Sequence, residues 1–174
     1  MDLNEKSKKI KLILLDVDGV LTDGSIIFGE SNQEIKIFNV KNGLGIKLAQ
    51  AGGIAIGIIT GRNSQVVNKR AKELSIKILS QGQQDKVSVY NQIKDDLRLK
   101  DEQIAYIGDD LTDLKLLRQV GLSLTVNDAC DEVKSEVDYI TKCSGGKGAV
   151  REAIEFILKS QGKWETVIQK YYSV

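Results

Sequence analysis

Two aspartates, Asp16 and Asp18, follow an apolar run and lie two residues apart in Asp16-Val17-Asp18-Gly19. In an extended segment such residues point the same way, so both carboxylates can face one pocket. Like charges this close repel, and each then favours its protonated form. A divalent cation removes the conflict, and carboxylate, carbonyl and water oxygens suit Mg²⁺. Asp109, in Gly108-Asp109-Asp110, offers another hard oxygen. An aspartate can also attack phosphorus to give an aspartyl-phosphate. That step needs the charge on the phosphoryl oxygens neutralised. Thr60 brings a hydroxyl and Lys86 an ammonium to the task. Asp18 is placed to protonate the leaving group and afterwards to activate water.

The chain has no histidine, which excludes Ser-His, Cys-His and zinc-His chemistry and leaves acid–base work to Asp, Glu, Lys or Tyr. It has no proline either, and we have no functional account of that. A net charge of +1, with Lys and Arg spread along the chain, argues against nucleic-acid and anionic-membrane partners. No apolar run approaches the ~20 residues of a membrane helix. The polar start MDLNEKSKKI lacks a secretory apolar core. Cys130 and Cys143 have no metal-ligand spacing and read as free thiols of a reducing, cytoplasmic setting.

The elements that must position these residues alternate. Strands are expected at Lys11–Leu15, Ile54–Ile59, Ile76–Leu79, Ile104–Ile107, Leu122–Val126 and Tyr139–Thr141. Helices are expected at Gly43–Ala51, Ser64–Leu74 with Asn63 as N-cap, Asp85–Leu97, Leu111–Val120 and Val150–Lys159. Ser25–Phe28 and Glu34–Val40 flank Gly29-Glu30-Ser31-Asn32-Gln33 and predict a β-hairpin, with Ile35 and Ile37 alternating with Lys36 and Phe38. The pattern predicts one α/β domain over 1–174, a doubly wound, mostly parallel sheet with a hairpin flap at about 25–40. The tail, about 163–174, reads as loosely attached. Ligands of such sheets lie beyond the carboxyl ends of the strands, where Asp16, Asp18, Thr60, Arg62, Asp109 and Asp110 fall, with Lys86 opening a helix toward the same edge.

Each residue also has a plainer reading. The Asp-Gly segment suits a solvated turn, and Asp110 or Thr112 suits a helix N-cap. Lys86, Arg62 and Arg70 can be surface cations, and Thr60 a capping hydroxyl. Gly145-Gly146-Lys147-Gly148 reads as either an anion-binding loop or a flexible turn.

Four motifs in order are stronger than any one of them: Asp16–Gly24, Thr60-Gly61-Arg62, Lys86, and Gly108–Asp113. Together they resemble the haloacid dehalogenase-like phosphatases. Three further stretches, Phe38–Ile46, Gln81–Lys86 and Gly145–Glu152, narrow the likeness to the 3-deoxy-D-manno-octulosonate 8-phosphate (KDO 8-phosphate) phosphatase family, from about Lys11 to about Gly162. That resemblance implies a cap-less homotetramer of lipopolysaccharide precursor synthesis whose hairpins associate across subunits and help close the neighbouring sites. It implies Asp16 as nucleophile and Asp18 as general acid/base. It implies Mg²⁺ on the Asp16 and Asp109 carboxylates and the Asp18 main-chain carbonyl, and phosphate on Thr60 and Lys86. Asp110 and Asp113 would stand behind these, Asp113 orienting Lys86 or a metal-bound water.

The resemblance places the sugar acid near Gly61, Arg62, Arg70, Asn42 and Gly43. Arg62 stands where phosphatases of nine-carbon sugar-acid phosphates carry Glu, and a guanidinium suits a substrate carboxylate. Asn42 stands where the family usually has Asp, which keeps hydrogen bonding and loses charge. Three alternatives remain: a nine-carbon sugar-acid 9-phosphate as substrate, a signalling receiver domain, or a non-catalytic oligomerisation module. The order of motifs, with Asp16-Val17-Asp18-Gly19 on the first strand, fits a phosphatase better than a receiver.

Overall fold

The computed structural model describes residues 2–30 and 33–172. Its centre is β1 (Leu12–Leu15), four consecutive apolar residues that are all buried. Such a run suits a strand covered on both faces. β1 pairs in parallel with β4 (Ala55–Ile59) on one side and β6 (Ile104–Ile107) on the other. β5 (Ile78–Ser80) extends the β4 side, while β7 (Leu122–Thr125) and β8 (Tyr139–Ile140) extend the β6 side. The six-stranded sheet has the order β5-β4-β1-β6-β7-β8, parallel throughout. The chain therefore leaves β1 toward one edge and later returns to its other flank, and a crevice opens at that switch point.

Helices α1 (Leu3–Lys8), α2 (Val40–Ala51), α7 (Ala149–Ser160) and α8 (Trp164–Ile168) pack with one another, and α4 (Lys86–Asp96) packs with α5 (Leu114–Leu117). α3 (Gln65–Glu73) follows β4, and α6 (Asp131–Lys134) precedes β8. The mostly parallel α/β architecture expected from the sequence is present.

Several boundaries differ from expectation. The hairpin pairs only β2 (Ile27–Phe28) with β3 (Glu34–Ile35); Ser31 and Asn32 of its loop lie outside the described residues. α2 starts at Val40, not Gly43, because the Asn39 side chain accepts the Lys41 N–H at 2.8 Å and caps it. α3 is capped by Ser64, not Asn63: the Ser64 hydroxyl accepts the Val67 N–H at 3.4 Å. The helix expected over Leu111–Val120 divides into a 3₁₀ turn (Leu111–Asp113) and the short α5.

Of the expected loose tail, α8 is docked, Tyr171 and Tyr172 are exposed, and residues 173 and 174 lie outside the described residues. α8 buries Val167, and the Trp164 ring lies 5.0 Å from the Arg151 guanidinium and 5.6 Å from the Lys159 ammonium. α1 and α6, of six and four residues, are too short to leave a helical period in the sequence.

Candidate active site

Each edge residue is placed by a strand that ends beside β1. The ladder runs one residue past β1, where Asp16 N–H donates to Ile107 O at 3.0 Å. The chain then folds tightly: the N–H groups of Val20, Leu21 and Thr22 all converge on Val17 O at 2.9–3.2 Å. Gly19 has φ +90°, and a Cβ there would lie 1.9 Å from Asp109 Oδ2. Glycine is needed on both counts. Thr60 extends β4 through its N–H to Ser80 O at 3.0 Å. Lys86 opens α4 behind its N-cap Asp85.

These residues surround a cleft of about 360 Å³ lined by Asp16, Asp18, Thr60, Gly61, Arg62, Gln83, Gln84, Lys86, Asp109, Asp110 and Thr112. Its floor is a buried charge array. Lys86 Nζ donates to Asp16 Oδ2 at 2.9 Å, to Asp113 Oδ1 at 2.7 Å and to the Tyr106 hydroxyl at 3.2 Å. An ammonium has three N–H donors, so all are used. Tyr106 is fully buried and donates to Asp113 Oδ1 at 2.5 Å.

Asp113 Oδ2 accepts the N–H groups of Asp109 and Asp110 at 3.0 and 3.2 Å. Four acceptor positions thus meet four donors, and Asp113 has no lone pair to spare. Asp16 accepts only Val17 N–H on Oδ1 and Lys86 on Oδ2, leaving a lone pair on each oxygen. Asp109 Oδ1 is buried with no hydrogen-bond partner.

One carboxylate oxygen each from Asp16, Asp109 and Asp113 lies within 4.8 Å of the others. Burial, then the Asp113 charge, raises the Asp16 carboxyl from 3.8 to about 6 against the opposing pull of Lys86. Burial, then Asp16 and Asp113, raises Asp109 to about 7. Burial works against the Lys86 ammonium, but Asp16 and Asp113 outweigh it and hold the group above its ordinary range. An unpartnered buried carboxylate oxygen, an adjacent carboxylate with spare lone pairs and an all-oxygen donor set fit a hard divalent cation such as Mg²⁺.

Asp18 faces the hairpin. Its Oδ1 accepts from the buried Lys36, whose Nζ also lies 3.3 Å from Glu34 Oε1. Arg62, on the cleft wall, has its Nε 3.8 Å from Asp18 Oδ2 and a terminal nitrogen 3.3 Å from Glu34 Oε1. Lys36, Glu34 and Tyr106 also belong to the site. Lys36 lies in an alternating hairpin whose faces are the reverse of the usual: Lys36 is buried while Ile35 and Ile37 are exposed. Tyr106 looked like one more apolar strand residue. Neither carried a signal short of the packing itself.

Three expected substrate contacts do not reach the cleft within this chain. Asn42 is buried, and its Oδ1 accepts Arg151 N–H at 3.1 Å in the first turn of α7. Its amide oxygen caps that helix, while its Nδ2 is buried without a hydrogen-bond partner. Arg70 packs over the Phe38 ring at 5.7 Å and pairs with Glu73 at 2.8 Å. Gly43 lies beneath Arg70, whose terminal guanidinium nitrogen would have to shift to admit a Cβ. Asp110 lines the cleft and also accepts Leu111 N–H at 2.8 Å, capping the 3₁₀ turn.

A family model described as a haloacid dehalogenase-like hydrolase matches residues 75–154. The 3-deoxy-D-manno-octulosonate 8-phosphate phosphatase KdsC of Escherichia coli K12 is 43% identical over 162 residues, 93% of this chain and 86% of the relative. The crystal structure of the Moraxella catarrhalis 3-deoxy-D-manno-octulosonate 8-phosphate phosphatase, in complex with a magnesium ion, a phosphate ion and a KDO molecule, superposes with a TM-score of 0.95. It is 43% identical, and the match covers 97% of each chain. A probable YrbI-family phosphatase from Pseudomonas syringae pv. phaseolica matches with a TM-score of 0.97 and 45% identity over 99% of this chain and 98% of that one. This chain belongs to the KDO 8-phosphate phosphatase family of haloacid dehalogenase-like hydrolases.

The raised carboxyls set a pH dependence. Between about 4 and about 7 the metal-free folded protein holds protons on Asp16 and Asp109 that the unfolded chain has already lost. These two groups therefore lower stability as pH rises through that window. In EDTA, melting temperatures of the wild type and Asp109→Asn should diverge as pH is raised from about 5 to about 8, the variant gaining relative to the wild type. Parallel profiles would contradict the raised Asp109 carboxyl.

Proposed function

We propose that the chain is a Mg²⁺-dependent phosphomonoesterase that hydrolyses KDO 8-phosphate to KDO and phosphate through an aspartyl-phosphate on Asp16, in lipopolysaccharide precursor synthesis. The observation that carries the chemistry is the buried array of Asp16, Lys86 and Asp113 beside the unpartnered Asp109 oxygen at the head of β1. The names of the relatives, and an arginine on the cleft wall, support the sugar acid as substrate.

The cation would be held by the Asp16 and Asp109 carboxylates with the Asp18 main-chain carbonyl, and when bound it offsets negative charge on those carboxylates and on the phosphoryl oxygens. One Asp16 oxygen attacks phosphorus, and the bond from phosphorus to the sugar C8 oxygen breaks. Asp18 gives that oxygen its proton. Asp18, now ionised, takes a proton from water as the water attacks phosphorus, and the bond to Asp16 breaks to release phosphate.

Thr60 and Lys86 bind the phosphoryl oxygens. The Lys86 N–H that now points at Asp16 passes to one of them, while Asp113 and Tyr106 keep the ammonium in place. Arg62 binds the sugar carboxylate beside Gly61, and that carboxylate takes the place Glu34 now holds.

A homotetramer and a cytoplasmic setting belong to the same reading. Ile26, Phe28 and Ile37 of the hairpin and Val40 at the start of α2 are 51%, 59%, 62% and 80% exposed, apolar side chains that a second copy of the chain would cover. Cys130 and Cys143 are unpaired thiols, and no described helix is long and apolar enough to cross a membrane.

Phosphate release from KDO 8-phosphate should require Mg²⁺ and stop with EDTA, and Asp16→Asn should lower it at least about 10³-fold while the protein stays folded. Folded Asp16→Asn with near-wild-type turnover would remove the nucleophile. Release stronger from a nine-carbon sugar-acid phosphate run in parallel would move the substrate. Arg62→Ala should lower kcat/KM about tenfold or more on KDO 8-phosphate and far less on an aryl phosphate. Equal losses on both would assign Arg62 to the phosphate or to structure.

A further inference from the structure

The Gly145-Gly146-Lys147-Gly148 loop has no part in the reaction as proposed, and it does not line the cleft. It lies behind the Asp16–Gly24 loop. A Cβ added to Gly145 would fall 1.8 Å from Gly19 O and 3.1 Å from Thr22 O. Gly19 in turn leaves no room toward Asp109, where its own Cβ would meet Oδ2 at 1.9 Å. The main chain of Gly145, the main chain of Gly19 and the Asp109 carboxylate are thus three layers in contact, with no space for a methyl at either junction.

The outer layers are pinned. Gly145 N–H donates to Asp128 Oδ1 at 2.8 Å, and Gly146 N–H donates to Val20 O at 3.0 Å. Just upstream, Cys143 O accepts from the Thr141 hydroxyl at 2.6 Å, and Glu152 accepts the N–H groups of Lys142 and Cys143 at 2.8 and 2.9 Å. On the far side, Asp109 N–H donates to Asp113 Oδ2 at 3.0 Å, and Asp109 O accepts Cys130 N–H at 3.1 Å. The part of the stack free to yield is the Asp109 side chain, whose Oδ1 is buried without a partner. Gly145 is not among the positive-φ glycines, so alanine there adds volume without backbone strain.

We propose that Gly145 is a positioning residue for the cation site: its missing side chain lets Gly19 sit where the Asp109 carboxylate meets that of Asp16. The inference rests on the reading of Asp16 and Asp109 as cation ligands. A Cβ at Gly145 pushes Gly19 forward, and the displacement falls on Asp109.

The test is Mg²⁺ titration by calorimetry on the full chain, with the wild type, Asp109→Ala, Gly145→Ala and Asp128→Ala. The wild type should bind and Asp109→Ala should not, which checks the ligand reading by itself. Gly145→Ala should bind roughly 10–100-fold more weakly, the loss typical of residues that orient a metal ligand. Its phosphate release should recover as Mg²⁺ is raised, which a general loss of packing would not give. Asp128 is exposed, so Asp128→Ala should fold, loosen the anchor of Gly145 and weaken Mg²⁺ by a smaller factor. Folded Gly145→Ala with wild-type Mg²⁺ affinity overturns the inference. Should Gly145→Ala not fold, wild-type affinity in Asp128→Ala overturns it instead. No Mg²⁺ binding by the wild type removes the ligand reading, and this inference with it.

Discussion

One ammonium stands among three carboxylates and binds two of them. Asp16, Asp109 and Asp113 converge in a space from which most water is excluded, and Lys86 is the cation that contacts two of them. Removing charge from water is costly, and repulsion among the carboxylates adds to the cost. Asp16 and Asp109 respond with raised carboxyls, while Asp113 is held by four donors. A site left this negative is poised for a hard cation and for a phosphoryl group whose charge that cation shares. The sheet exists in service of this: β1, β4 and β6 end side by side so that their loops deliver the acidic groups and Thr60 to one point.

The second demand is steric. The loop after β1 must turn within a few residues and lie against Asp109, so glycine occurs where main chain meets side chain or main chain meets main chain. Gly19 and Gly145 carry no chemistry of their own, yet they set how near the carboxylates can stand. The hairpin adds a third layer. Lys36 and Glu34 reach inward to Asp18 and Arg62, and the apolar side chains face outward. The polar residues of the flap thus face the cleft, and Ile26, Phe28, Ile35 and Ile37 stand exposed.

Much of this was legible in the sequence. The apolar runs Leu12–Leu15 and Ile104–Ile107 located buried strands because a parallel sheet covers both faces of each strand. Asp16, Asp18, Thr60, Lys86 and Asp109 fell at strand ends or a helix start, where the topology alone brings them together. What escaped was decided by packing. Lys36 and Tyr106 are buried polar groups, and nothing in their neighbours distinguishes them from a solvated lysine and a core aromatic. The contact of Asn42 with Arg151 was not legible because the two are remote in sequence and meet only where α2 meets α7. α8 was missed although Trp164, Val167 and Ile168 stand at the i, i+3, i+4 spacing of a helix, because a five-residue helix is short of the length that makes such spacing decisive.

Turnover as proposed passes through a covalent bond between Asp16 and phosphorus. Quenching the enzyme during turnover of KDO 8-phosphate and reducing it with borohydride converts an aspartyl-phosphate to homoserine, which peptide mass spectrometry can locate. Homoserine is expected at position 16, dependent on both substrate and Mg²⁺. Homoserine at another aspartate, or continued turnover with Asp16 unmodified under conditions that trap a known aspartyl-phosphate, would contradict it.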